Sequence, residues 1–223
     1  MMRISNYLRA IAGQAPEPRA AKPGSTRAPV VIWNTLRRCN LTCKHCYSTS
    51  ADIDFKGELD TAEALDVIDQ LHEAGVKVLV LSGGEPLMRP DIFQLAKYAR
   101  DYGFYVALSS NGTLINDSNI DEIADCDFDY VGISIDGLPD IHDEFRRMKG
   151  GFDAAMNGVR LCREKDLKVG LRTTLTQYNY PQLPALLDLM REYDVQKYYL
   201  SHLNYSGRGK RNQSVDAHRS MTR

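Results

Sequence analysis

The chain of 223 residues has no long apolar run. No stretch approaches the ~20 apolar residues of a membrane-spanning helix, so no membrane association is expected. Nor is there an excess of one charge: Lys and Arg number 28 against 29 Asp and Glu, a formal net charge of −1. Proteins that read nucleic acid by bulk electrostatics carry a clear positive surplus, so no nucleic-acid partner is expected. The first twelve residues hold Arg3 and Arg9 but no apolar core followed by a small-residue cleavage site. They do not read as a secretory signal, and a cytoplasmic location is expected. The cysteines lack an even count: there are 5, three of them within eight residues. That arrangement is wrong for an extracellular disulfide framework and right for metal. No internal repeat stands out. What is present, 43% hydrophobic and 26% charged residues, is ordinary for a globular chain with a buried core.

Residues 3–12 are compatible with a short helix. Pro16, Pro18, Pro23 and Pro29, with Gly13 and Gly24, turn residues 13–29 into a linker, so the folded unit is expected to begin at Val30. From there short β-branched runs (Val30–Thr35, Val76–Leu81, Phe104–Ser109, Tyr130–Asp136, Lys168–Leu175, Lys197–His202) alternate with helix-period segments near 60–74, 91–102, 117–125, 152–165 and 182–193. Asp60 and Glu63 stand at capping-box spacing. Strands alternating with helices imply an α/β fold with a parallel sheet and helical crossovers. A doubly wound sheet needs both strand faces apolar. Here Val131, Ile133 and Ile135 oppose Gly132, Ser134 and Asp136, and Val169, Leu171 and Leu175 oppose Gly170, Arg172 and Thr174. One face is repeatedly small or polar, as in a barrel interior. Six units fall short of the eight in a closed barrel, so a partial (β/α)6, TIM-like barrel over residues 30–205 is expected. Residues 206–223 read as a basic tail, the start of a C-terminal part that the chain lacks.

Cys39, Cys43 and Cys46 lie in Arg38-Cys39-Asn40-Leu41-Thr42-Cys43-Lys44-His45-Cys46, on a loop at the end of the first strand. Chemistry in α/β folds sits at that end. Three close thiolates suit an iron–sulfur cluster with one iron left open. Zinc held by the three cysteines and His45, in a non-enzymatic module, is the alternative, although adjacent residues seldom aim both side chains at one ion. Cys126 and Cys162 fall on apolar helix faces and read as core. Ser82-Gly83-Gly84-Glu85-Pro86 ends the second strand; two glycines allow close backbone approach to a ligand. Ser109-Ser110-Asn111-Gly112 and Ser134-Ile135-Asp136-Gly137 end the third and fourth. Their polar side chains, with Arg172 from the fifth, are expected to face the interior. Arg172 reads either as a structural ion-pair residue or as a carboxylate clamp.

Cys39-x3-Cys43-x2-Cys46, followed by Gly83-Gly84-Glu85-Pro86, resembles the radical S-adenosylmethionine (SAM) superfamily, over about Val30 to His202. The resemblance implies a [4Fe-4S] cluster on the three cysteines whose open iron binds S-adenosyl-L-methionine. It places Gly83, Gly84 and Glu85 at the SAM amino group, His45 beside the adenine, and Ser134 and Asp136 at the ribose or methionyl part. Ser109, Asn111 and Arg172 carry over as further cofactor contacts. The implied chemistry is reductive cleavage of SAM to a 5′-deoxyadenosyl radical, fed by a low-potential electron donor; no general acid or base is assigned. Asp136-Gly137, His142-Asp143, Arg146 and Gly150-Gly151-Phe152 narrow the resemblance to members with a cysteine-rich C-terminal extension, and among these to the heme d1 biosynthesis proteins. That implies a tetrapyrrole substrate, with peptide maturation as the second enzymatic reading. No cysteine follows Cys162, so the cysteines of that extension are not expected within these residues.

Overall fold

The computed structural model describes Met2–Arg3, Gly13 and residues 29–217. Six parallel strands form an open half-barrel: β2 (Val30–Asn34), β3 (Val78–Ser82), β4 (Tyr105–Ser110), β5 (Tyr130–Ser134), β6 (Val169–Leu175) and β7 (Lys197–His202). They lie in the sheet in chain order, and the two-residue β1 (Met2–Arg3) pairs antiparallel with β7. A doubly wound sheet reverses its strand order partway; this one does not. With right-handed crossovers, a monotonic order puts every covering helix on the same face. The helix expected over residues 3–12 falls outside the described residues, apart from Arg3, which is in β1.

The covering helices are α1 (Thr61–Glu73), α2 (Ile92–Asp101), α3 (Ile120–Asp125), α4 (Pro139–Arg146), α5 (Gly151–Glu164) and α6 (Leu183–Glu192); the short α7 (Gly207–Arg211) follows β7. α1 starts with the expected capping box: Glu63 N–H donates to Asp60 and Asp60 N–H donates to Glu63, both at 2.9 Å. α2 buries Ile92, Leu95, Ala96 and Ala99, and α5 buries Phe152, Ala155, Val159 and Cys162. Each fully buried large apolar side chain of this layer is worth about 1.5–3 kcal/mol over exposure. Cys126, at the end of α3, and Cys162 are in the same core.

Element ends differ from expectation for local reasons. The fourth strand stops at Ser134 because the Asp136 N–H donates to His142 Nδ1, at 3.1 Å, instead of extending the ladder. α3 begins at Ile120 because a turn precedes it, in which the Asn119 side chain accepts from Asn116 N–H and donates to the Leu114 carbonyl while the Asn116 side chain accepts from Ser118 N–H. α4 has no counterpart among the expected helices: it buries His142, Phe145 and Arg146, a largely polar face that hydrophobic periodicity does not register. The stretch expected as a basic tail is folded from 206 to 217. It forms α7, and Gln177 N–H donates to the Val215 carbonyl at 3.0 Å.

Candidate active site

The C-terminal ends of the strands ring a cavity of about 360 Å³, within the roughly 300–1,000 Å³ of small-molecule sites. Cys39, Cys43 and Cys46 reach its wall from the loop after β2, and Gly83 and Gly84 from the turn after β3. Ser109 and Asn111 at the end of β4, Ser134 at the end of β5, and Arg172 of β6 complete the wall with His45. The structure thus brings together ten of the twelve residues expected at a cofactor or metal. Glu85 and Asp136 stand just behind the wall, fully buried.

Both buried acids tie wall elements together. Glu85 accepts from Asn111 N–H at 2.7 Å, Ser110 O–H at 2.8 Å and Leu87 N–H at 3.2 Å, joining the ends of β3 and β4. Burial, against these hydrogen bonds, pushes its carboxyl up to about 7. Asp136 accepts from Arg146 Nη2 at 2.6 Å, Arg146 Nε at 2.8 Å and Thr174 N–H at 2.7 Å. Burial works upward most strongly on its carboxyl, but the Arg146 charge, His45, His142 and the Thr174 N–H together outweigh it and hold Asp136 below the usual carboxylate range. Arg146 itself lines the cavity. It pairs with Asp136 from the last residue of α4, four residues after His142, a spacing that puts both on one helix face.

The glycines are needed first for packing on the protein itself. Gly83 has φ +151°, and a Cβ there would stand 2.6 Å from the Leu36 carbonyl oxygen; at Gly84 a Cβ would collide with the carbonyls of Arg37 and Arg38. Gly84 N–H donates to Leu36 and Glu85 N–H to Arg38, at 2.8 and 2.9 Å. The turn therefore packs closely on the segment that joins β2 to the cysteine loop.

All five cysteines are free thiols, and of these only Cys39, Cys43 and Cys46 face the cavity. Burial pushes the Cys39 thiol up to about 12 and raises Cys43 against the opposing pull of Arg146. Burial also works upward on Cys46, but the Ser48 hydroxyl at 3.3 Å, the Ser48 and Ser50 backbones and the Arg208 charge leave it below its ordinary value. Asn111 Nδ2 lies 3.9 Å from the Cys39 sulfur. His45 stacks flat on Phe145, ring centres 4.6 Å apart. Burial lowers it to about 4, so the ring is neutral at pH 7. Its Nδ1 is buried with no hydrogen-bond partner among the described residues. Arg172 donates to the Ser109 hydroxyl and, at 2.5 Å, to the Tyr130 hydroxyl; it makes no ion pair among the described residues, and its Nε is buried and unpartnered. Of the two roles expected for Arg172, the ion-pair one is not formed here.

Among the described residues, no three His, Cys, Asp or Glu side chains draw close enough to hold a single ion. A tetrahedral zinc needs its sulfurs all about 2.3 Å from one centre, and the Cys3His arrangement is not formed. A polynuclear cluster takes each thiolate on a different metal atom, and three soft sulfur donors spaced around one cavity wall fit that demand.

A family model described as the radical SAM superfamily matches residues 33–201. The chain is 50% identical over 223 residues to the pre-heme d1 synthase of Dinoroseobacter shibae, covering 100% of this chain and 54% of that protein. It is 45% identical over 185 residues to the Fe-coproporphyrin III synthase of Methanosarcina barkeri, covering 83% of this chain and 46% of that protein. The chain therefore spans about half the length of these curated relatives. Streptococcus suis SuiB bound to S-adenosylmethionine superposes with a TM-score of 0.69 at 18% identity, over 78% of this chain and 40% of that one, a likeness of fold alone.

Proposed function

This chain belongs to the radical SAM superfamily, and from that membership we propose that it holds a [4Fe-4S] cluster on Cys39, Cys43 and Cys46 and binds SAM in the cavity they line. We infer further that it serves an enzyme modifying a tetrapyrrole side chain in heme d1 biosynthesis. The observation that carries the first part is the convergence of three thiols and the Gly83-Gly84 turn on one cavity. When bound, the cluster supplies the electron that cleaves SAM to a 5′-deoxyadenosyl radical. The protein's own part is to hold and orient. The unpartnered His45 Nδ1 offers a hydrogen-bonding site for the adenine, the Ser134 hydroxyl lies in the wall for the ribose or methionyl part, and Arg172 presents its guanidinium to a carboxylate. Glu85 and Asp136, being buried, act by fixing strand ends and Arg146.

The tetrapyrrole reading rests on the 50% identity to a pre-heme d1 synthase. It is tested by anaerobic incubation with SAM and a low-potential reductant, measuring 5′-deoxyadenosine with a siroheme-type tetrapyrrole and with peptides. A rise with the tetrapyrrole supports the reading. A rise with peptides alone replaces it with a peptide maturase.

A further inference from the structure

The cysteine loop is gripped from behind by the segment that follows β7. From Leu41 to Ser50 the loop has no helix or strand of its own to satisfy its carbonyls. Arg208 supplies donors to them: Nε donates to the Cys43 carbonyl at 2.7 Å and Nη1 to the Ser50 carbonyl at 2.8 Å. Its backbone N–H donates to the Cys46 carbonyl, and Asn212 Nδ2 to the Lys44 carbonyl, each at 2.8 Å. The fit is too close for side chains: at Gly207, with φ +55°, a Cβ would stand 2.6 Å from the Cys46 carbonyl oxygen.

The charge of Arg208 is the second feature. Arg146, beside the same cysteines, is neutralised by Asp136. Among the described residues Arg208 meets no carboxylate within ion-pair distance, and its Nη2 is buried without a partner. Arg208 is part-buried, and a cation partly withdrawn from water with no carboxylate beside it is stabilised by any other anion within reach. The groups it meets are the Cys43, Cys46 and Ser50 carbonyls, with the Cys46 thiol near its charge.

We propose that Arg208 is a positioning residue for the cluster, its planar fork fixing the loop that spaces Cys43 and Cys46 and its charge answering the Cys46 side of the cluster. The inference rests on the cluster reading above. A planar guanidinium reaches two carbonyls at once, which a lysine ammonium on a flexible stem does not, and a glutamine brings no charge. Arg208→Lys therefore loosens the loop but keeps the cation, whereas Arg208→Gln loses both.

Wild type, Arg208→Lys and Arg208→Gln are reconstituted anaerobically as the full chain. Iron per chain, the rate of iron loss to a chelator and the midpoint potential of the cluster are then measured, with circular dichroism as the folding control. Loss of a group that orients metal ligands typically costs about 10–100-fold in metal affinity, and both variants are expected to release iron faster by that order. The potential is expected to fall in Arg208→Gln and to hold in Arg208→Lys, since a nearby cation favours the more negative, reduced cluster. A purely structural role for α7 would not separate the two variants in potential. Folded Lys and Gln variants that keep iron and potential at wild-type values overturn the proposal, and Arg208→Lys, the milder change, carries the iron-release arm by itself. Failure of wild type to take up iron instead overturns the cluster reading.

Discussion

On the outer face of the sheet, Val106, Leu108, Val131, Ile133, Val169 and Leu171 are all fully buried beneath helices. On the inner face, the alternate residues of the same three strands are Ala107, Ser109, Gly132, Ser134, Gly170 and Arg172. All of these except Ala107 carry either no side chain or a polar one that lines the cavity. One chain thus separates two tasks by the period of two in a strand. The outer residues are bound to a register, because a slip of one residue would carry them all to the wet side. On the inner face Val80, Ala107 and Tyr130 lower down form a small buried cluster of their own, while Ser109, Ser134 and Arg172 line the cavity. Beneath them, Glu85 and Asp136 form a third, hidden tier: polar, fully buried and structural.

The largest loss is expected at that hidden tier. Asp136→Ala leaves the Arg146 charge buried without its partner, a change expected to cost about 3–5 kcal/mol in urea denaturation; a loss below 1 kcal/mol would mean that Arg146 finds water. On the outer face, Leu171→Ala is expected to cost about 2–5 kcal/mol while iron bound per folded chain stays at the wild-type value. Loss of iron from the folded variant would show that the two faces are not independent.

The acids and histidines behind the wall are distinguished from both faces by pH. Glu85 has its folded value raised to about 7, so its contribution to stability is full below its ordinary 4.5 and is lost as pH rises through 7. His142 is the reverse: lowered to about 4 by burial foremost, it contributes fully above 6.5, and that stability is lost as pH falls through 4. On acidification of the metal-free protein from pH 7 to 4.5, Tm is expected to drop more steeply in Glu85→Gln than in wild type, and less steeply in His142→Asn. Parallel Tm curves for the three proteins would contradict the assignment. The smallest stability change belongs to the inner face: Ser134→Ala is expected within about 0.5 kcal/mol of wild type, with SAM binding weakened in equilibrium dialysis.

The outer face was legible from the sequence because alternation and helix periodicity report apolar burial directly. Asp60 and Glu63 announced α1, and Val131, Ile133 and Ile135 announced β5. The cysteine loop was legible because three thiols at such short spacing point to metal before any other chemistry. What stayed hidden is polar burial. α4 turns His142 and Arg146 inward, so its buried face resembles a solvent face in sequence. Glu85 and Asp136 were expected at the cavity, and their placement behind it depends on the backbone donors of Asn111 and Thr174, contributed by neighbouring strands. Arg208 sat in what read as a basic tail; its partners are carbonyl oxygens, which have no sequence signature.

That three thiols on one cavity wall hold a cluster whose open iron is reached by SAM is best tested by anaerobic reconstitution. Electron paramagnetic resonance of the reduced protein is then recorded with and without SAM. About four irons per chain are expected, with a reduced-cluster signal that changes when SAM is added. Both should be lost on joint replacement of Cys39, Cys43 and Cys46 by Ala, but not of Cys126 and Cys162. A colourless protein with a single tightly held zinc, or a cluster signal indifferent to SAM, would contradict it.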